Sequence, residues 1–335
     1  MAKTMISPQT ETLSAELIPA IEVENPASGE IIASVPVATP EQVAEAAARA
    51  RRAQPGWEAL GFEGRAAILG RCRRWISDNS ERVIETIVSE TGKTYEDALV
   101  AEISYAEAAF AFWAKNAAKY LAEEKVKTAS PFVKGRKLVV RYAPVGVVGV
   151  IGPWNYPLTN SFGDCIPALA AGNAVLLKPS EVTPLTSLLM GEMLRECGLP
   201  RDVYQVLPGY GETGAALIDE ADFVMFTGSA ATGRKVMERA ARTLTPVALE
   251  LGGKDPMIVG SKNWPSPSRC LPPTTMRAPL STASFTWSLM ISICLGKVIA
   301  PTSTVPGPPA GSPWRSVRAF SVSFATNSSY TGAST

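Results

Sequence analysis

The chain has 335 residues, enough for one large or two ordinary domains, and its 46% hydrophobic and 19% charged composition suits a soluble globular protein that buries a core. It contains no histidine, which excludes Ser-His-Asp and Cys-His nucleophile activation and any histidine-ligated metal, and leaves acid-base work to carboxylate, lysine, cysteine or tyrosine. The net charge of +1 hides an asymmetry: residues 1–260 carry 26 Lys+Arg against 31 Asp+Glu, whereas residues 261–335 carry 6 against 0.

In chain order, residues 1–18 read as a flexible polar leader. It has no apolar core of signal-peptide length, and no apolar run in the chain reaches the roughly 20 residues a membrane helix needs. A cytoplasmic location without membrane or nucleic-acid partners is therefore expected. Residues 19–36 predict a hairpin, two β-rich runs around the turn formers Asn25, Pro26, Ser28 and Gly29. From Thr39 to about Glu123 apolar residues recur at three and four spacing in Ala-, Glu- and Arg-rich sequence, which predicts helices, with Thr39, Asp78 and Thr94 as caps or breaks. From Val126 the period changes. RKLVVRYAPVGVVGVIGPW holds two strand-like runs, the second apolar enough to be buried on both faces. The strand candidates NAVLLKP, VYQVL, DFVMFTG and PVALEL then alternate with helical stretches. That alternation predicts an α/β fold, a Rossmann-like parallel sheet covered on both faces, with ligands at the C-terminal ends of the strands.

Past about Val259 this order is lost. Residues 261–335 hold 15 Ser, 9 Thr and 10 Pro without an acidic residue. A disordered Ser/Pro tail is one reading, but Trp264, Trp287 and Trp314 are unusual in a solvating linker. Apolar and polar residues there follow neither a helical nor a strand period, and a reading-frame accident is the favoured expectation. The five cysteines form no CxxC pair, so neither a zinc site nor a disulfide framework is indicated, and reduced thiols are expected.

Five motifs carry chemistry. VPGYGETG supplies Gly209, Gly211 and Gly214, formally a GxGxxG between a strand and a helix, but the acidic residue a dinucleotide fingerprint wants some 20 positions on is replaced by FTGSAATG. FTGSAATGRK has Gly228 and Gly233 at P-loop spacing but lacks the Lys-Ser/Thr ending, leaving a strand, a turn at Ser229 and a helix N-terminus suited to phosphate. GPWNYP is either a structural turn or a rigid frame in which Asn155, between Pro153 and Pro157, offers its amide to an oxyanion. KPSE sets Lys178 and Glu181 three apart around Ser180, a surface ion pair or a donor-acceptor pair for ribose hydroxyls. ELGGK places Glu250 and Leu251 before a Gly-Gly turn that allows close backbone approach to a ligand.

In this order and spacing, PWNYP, KPSE, PGYG, FTGSxxxG and ELGGK resemble the aldehyde dehydrogenase superfamily over residues 20–258. The resemblance implies the family's cofactor domain over residues 19–259 with N-terminal helices, an oligomerisation arm at about 126–143, a homo-oligomer, and a non-homologous tail over 260–335 in place of most of the catalytic domain. It implies oxidation of an aldehyde substrate to a carboxylic acid with NAD, NADP being possible. Asn155 matches the oxyanion stabiliser and Glu250 the general base. Lys178, Ser180 and Glu181 match the adenosine-ribose site, where an acidic residue favours NAD by repelling a 2′-phosphate. Gly209, Gly228, Ser229, Gly233 and Leu251 match nucleotide-contacting positions, and Ile151, Gly152, Pro153 and Trp154 would line the cofactor cleft. The chain departs from the family where a cysteine nucleophile is due: no Gly-Gln-x-Cys segment follows Glu250, and neither Cys270 in PSRCLPP nor Cys294 in SICLGKV has that setting. A catalytically inactive nucleotide-binding module is the alternative.

Overall fold

The computed structural model describes residues 19–126 and 138–253. The leader, most of the arm, Lys254, Cys270, Cys294 and residues 260–335 lie outside the described residues. At the N-terminal end β1 (Ala20–Asn25) pairs antiparallel with β2 (Glu30–Pro36), with a bulge between Val23 and Glu24. The Asn25 Oδ1 accepts the Ala27 N–H at 2.9 Å, and Gly29 takes a φ of 75°, so the turn residues close the hairpin through their own chemistry. Ile21, Val23 and Val35 point inward to one buried patch.

The predicted helical block is four helices. They are α1 (Pro40–Ala59), α2 (Gly61–Asp78), α3 (Ser80–Thr91) and, after the single turn α4 (Tyr95–Asp97) and a π-wound segment at Ala98–Ile103, the long α5 (Ser104–Tyr120). Thr39 starts α1 as a full capping box: its hydroxyl accepts the Gln42 N–H at 3.3 Å and Gln42 Oε1 accepts the Thr39 N–H at 3.0 Å. Thr94 caps α4 by accepting the Asp97 N–H at 3.2 Å, and α2 breaks at Asp78 as its sequence suggests. The regular three-and-four spacing did not foretell the π-wound segment, in which Ser104 N–H reaches back five residues to Leu99 O. Helices α2, α3 and α5 pack their apolar faces around Leu69, Ile76, Ile84, Ile87 and Phe110. Buried Trp57 reaches out of α1 to donate from Nε1 to Leu169 O at 2.9 Å, and the buried Arg65 guanidinium donates to Ala170 O at 3.1 Å and Glu58 O at 2.9 Å.

A two-residue antiparallel ladder pairs β3 (Glu124–Lys125) with β4 (Val139–Val140), the second strand lying within the 126–143 segment expected to form an arm. Beyond it the alternation of strand and helix builds one five-stranded parallel sheet. Its strands are β5 (Val147–Ile151), β6 (Ala174–Lys178), β7 (Tyr204–Val206), β8 (Phe223–Gly228) and β9 (Val247–Leu251), in the spatial order β7-β6-β5-β8-β9. The connecting helices are α6 (Cys165–Ala171), α7 (Leu185–Glu196), α8 (Gly211–Glu220) and α9 (Ala230–Ala240). β5 and β6 are buried almost throughout, as unbroken apolar runs covered on both faces must be. The stretch expected to be one helix after β5 is split: Pro157–Phe162 is π-wound and α6 starts afresh at Cys165.

A functional site at the C-terminal edge of the sheet

In an open parallel sheet the chain leaves each strand at the same edge, and where successive connections depart in opposite directions a crevice opens for a ligand. Here that place is β5, whose Ile151 pairs with Lys178 of β6 on one side and Phe226 of β8 on the other. GPWNYP leaves β5 at this point. KPSE leaves β6 beside it, Gly228 and Ser229 leave β8, and Glu250 and Leu251, opposite Thr227 and Gly228, end β9. Four of the five sequence motifs therefore meet at one edge, and the fifth, PGYG, leaves the parallel edge strand β7 at the same end of the sheet.

Each is held by a local cause. Gly152 donates to Lys178 O at 3.1 Å, tying the mouths of two strands, and a β-carbon there would overlap the Ser161 hydroxyl and its backbone, so only glycine fits. Pro153 is partly buried, Trp154 is 59% exposed over the edge, and Asn155 is exposed, with no described residue hydrogen-bonding its amide. The Trp154 carbonyl accepts from Thr183 Oγ1 at 3.3 Å. Lys178 is 6% exposed, and its ammonium donates to Pro179 O at 2.8 Å and lies 3.5 Å from the Glu181 carboxylate, which is half in solvent. Burial lowers the lysine pKa and Glu181 opposes that fall. Ser180 is buried and its hydroxyl accepts the Val182 N–H at 3.2 Å, shaping the turn.

At β8 the Ser229 hydroxyl accepts the Thr232 N–H at 3.1 Å as the cap of α9, leaving the N–H groups of Ala230 and Ala231 for an anion. Gly233 lies under Leu251, whose Cδ2 would be 2.6 Å from an added β-carbon, so its smallness lets α9 close on β9. The Gly228 carbonyl accepts the Gly252 N–H at 3.3 Å. Gly209 is buried against Thr213, whose hydroxyl donates to Ala38 O at 2.7 Å. The formal GxGxxG follows edge strand β7 and not central β5, so it is not the first turn of a simple dinucleotide fingerprint. It nevertheless brings the start of α8, which has no side-chain cap, to the Lys178 stem, 3.3 Å from where a Gly214 β-carbon would be.

Glu250 is half-buried, and burial raises its pKa. Facing it is a residue that sequence reasoning passed over, Asp164, which is buried at the start of α6. Burial first, and the Glu250 charge second, push Asp164 up to about 8. Asp164 therefore keeps its proton near neutrality, while Glu250 is raised from its ordinary value by its own burial. The only sequence signal was a lone carboxylate inside the otherwise apolar run SFGDCIPALAAG. The neighbouring Cys165 thiol is buried and pushed well up by burial and by Asp164, so it is no thiolate. Of the other described cysteines, Cys72 is buried in α2 and Cys197 follows α7 at the opposite edge of the sheet.

Comparisons with known proteins bear on the family and the fold. A family profile described as "Aldehyde dehydrogenase family" matches residues 13–263. The chain is 44% identical over 238 residues to "Putative succinate-semialdehyde dehydrogenase, NADP(+)" of Mycolicibacterium smegmatis, covering 71% of this chain and 46% of that protein. It is 40% identical over 241 residues to 4,4′-diapolycopene aldehyde oxidase of a Methylomonas species, covering 71% and 45%. Among solved structures, PnpE from Pseudomonas sp. WBC-3 in complex with nicotinamide adenine dinucleotide superposes with a TM-score of 0.67 at 36% identity, over 70% of this chain and 48% of that one. The chain thus spans about half the length of the relatives it matches.

Proposed function

Since the chain belongs to the aldehyde dehydrogenase family, we propose that its sheet edge binds NAD(P) and presents Asn155 and Glu250 for oxidation of an aldehyde to a carboxylic acid. The observation that carries the reading is the convergence of Asn155, Lys178, Glu181, Ser229 and Glu250 from four neighbouring strands at one switch point. The dinucleotide fits what stands there: an uncapped α8 start, open N–H groups on α9, and glycines at 211, 252 and 253 with nothing within 4 Å of an added β-carbon. Lys178 and Glu181 would hold the adenosine ribose, and the free N–H groups of α9 the pyrophosphate. Bound NAD(P)+ supplies the hydride acceptor.

The rest falls to the chain. Asn155, with its amide uncommitted, donates to the carbonyl oxygen as that oxygen gains charge. Glu250, made more basic by burial, takes the proton of the attacking water. Among the described residues no thiol stands at this edge in a state to attack a carbonyl, and residues 260–335 contain no Gly-Gln-x-Cys segment. A nucleotide-binding module without turnover is therefore the second reading. We further infer that residues 260–335 read in a frame other than the family's. Translation of the gene in the other two frames after Val259 tests this, and absence of a Gly-Gln-x-Cys segment in both would sink it.

Between cofactors we favour NAD. The half-exposed Glu181 carboxylate would repel a 2′-phosphate on the ribose proposed to bind there, although the mycobacterial relative's name specifies NADP. We also place the protein in the cytoplasm, as its reduced buried thiols suit. No described helix is long and apolar enough to cross a membrane. The exposed Val126, Leu138 and Val140 of the arm would seat a second copy.

The test is calorimetric titration of the purified 335-residue chain with NAD and NADP, beside NAD-dependent oxidation of an aldehyde panel. NAD should bind saturably, Lys178→Ala should weaken it on the order of tenfold, and Glu181→Ala should narrow the gap to NADP. Folded protein that shows no saturable binding of either nucleotide would defeat the proposal. Turnover abolished by Glu250→Gln would select the enzyme over the module.

A further inference from the structure

The exposed Asn155 amide can act on a carbonyl only if the loop that carries it is fixed, and neither Pro153 nor Pro157 alone fixes a loop relative to the rest of the molecule. The π-wound segment at Ala98–Ile103 sends Glu102 inward, where its side chain is 0% exposed. A π turn inserts one residue into the helical repeat and so turns the following side chains to a different face. Glu102 Oε2 accepts the N–H groups of Leu158 and Thr159 at 2.7 and 3.3 Å, the first two N–H groups after Pro157. Its other oxygen, Oε1, accepts from Lys93 Nζ at 2.8 Å. The same ammonium sits 3.3 Å from the centroid of the Tyr156 ring, the residue next to Asn155, and 3.4 Å from the Asp97 carboxylate. Thr159 closes the arrangement by donating from Oγ1 to Ala101 O at 2.7 Å. A buried carboxylate with a single weak partner would be very costly, whereas this one has an ammonium and two backbone donors.

We propose that Lys93 and Glu102 are positioning residues for the Asn155 loop, clamping it at Tyr156, Leu158 and Thr159 so that the Asn155 amide stays aimed across the mouth of β5. The inference rests on the reading of Asn155 as the oxyanion donor. Cation and carboxylate act together: the ammonium holds the ring on one side of Asn155 and neutralises the carboxylate that holds the backbone following it. The far side of the loop is tied independently, through Gly152 N–H to Lys178 O and Thr183 to the Trp154 carbonyl.

The full-length chain labelled with 15N-asparagine has eight asparagines, at 25, 79, 116, 155, 160, 173, 263 and 327, and hence eight backbone amide signals. Asn155→Asp identifies the one in question. In Glu102→Gln and Lys93→Met the Asn155 and Asn160 amides should shift by more than a linewidth and broaden, while Asn25, Asn79 and Asn173 keep their positions. Lys93→Arg should leave the spectrum close to that of the parent. Asn155 unmoved in the folded variants, or all of these amides moving together, overturns the proposal. If Glu102→Gln does not fold, Lys93→Met decides alone, since Met keeps the length of the side chain and Glu102 keeps both backbone donors. The readout needs neither nucleotide nor turnover. A chain that binds no NAD therefore defeats the reading of the site, and a still Asn155 in an NAD-binding chain defeats the clamp.

Discussion

Asp164 and Glu250 are two carboxyl groups that burial moves upward from their ordinary acidity. One is enclosed at the start of α6, the other stands half in solvent at the end of β9, and the enclosed one keeps its proton up to about 8. An unfolded aspartate loses its proton near 3.8, so between that pH and about 8 the folded state binds a proton that the unfolded state has released. The stability this supplies is complete below about 3.8 and is lost as pH climbs through 8. Asp164→Asn removes the dependence, and melting curves at pH 5 and pH 8 should show the variant gaining on the parent as pH rises, on the order of 1 kcal/mol per pH unit across that window. Parallel curves would mean that Asp164 titrates normally. The same neutral acid sets the charge that Glu250 faces. In Asp164→Asn, Glu250 should still titrate above the usual carboxylate range, because burial and not its neighbour raises it.

At the scale of elements, helix starts divide into two kinds. Thr39 caps α1 at the surface with a side chain adjacent in sequence, whereas the first N–H groups of α7 are met by a carboxylate from α3. Buried Glu90 accepts Leu185 N–H at 2.7 Å, Thr186 N–H at 3.0 Å and the Thr186 hydroxyl. Thr39→Ala should cost about 1 kcal/mol, and Glu90→Ala about 2 to 3 kcal/mol, because it leaves buried donors unmet. Urea unfolding ranks them, and equal losses would count against the tertiary cap. This division explains what could be read beforehand. The hairpin, every strand of the sheet and the caps at Thr39 and Thr94 were legible, because turn chemistry, capping boxes and apolar runs are local. The π-wound segments were not, since no three-and-four spacing along the chain marks the extra residue that each of them takes up. The motif edge was legible as a set of residues, but Asp164, Lys93 and Glu102 were not, for Asp164 acts toward Glu250, and Lys93 and Glu102, themselves neighbours in the chain, act toward Tyr156, Leu158 and Thr159 in a distant segment.

For the molecule as a whole, the parallel sheet unites the motifs and the antiparallel arm ladder stands apart from it. Val126, Leu138 and Val140 leave 46%, 37% and 40% of their surface exposed on that ladder. Apolar residues on a short exposed ribbon are expected to be covered by a partner. Sedimentation velocity should find the parent chain as an oligomer and Val140→Asp as a smaller species with unchanged helical circular dichroism; a monomeric parent would refute the expectation.

Another consequence concerns the order of events during synthesis. The carboxylate of Asp222 accepts from Arg51 at 2.7 Å and from the Val147 N–H at 2.8 Å, and it presses so closely on Gly146, at a φ of 118°, that no side chain could stand there. One residue thus joins the first helix to the first strand of the sheet across separations of 171 and 75 residues. Closing such long loops is slow. On a ribosome that delivers the chain from its N-terminus, α1 can make this contact only after 222 of the 335 residues have been joined. The tie between the first helix and the sheet is therefore a late event of synthesis, and the packing of α1 on β5 and β6 can precede it.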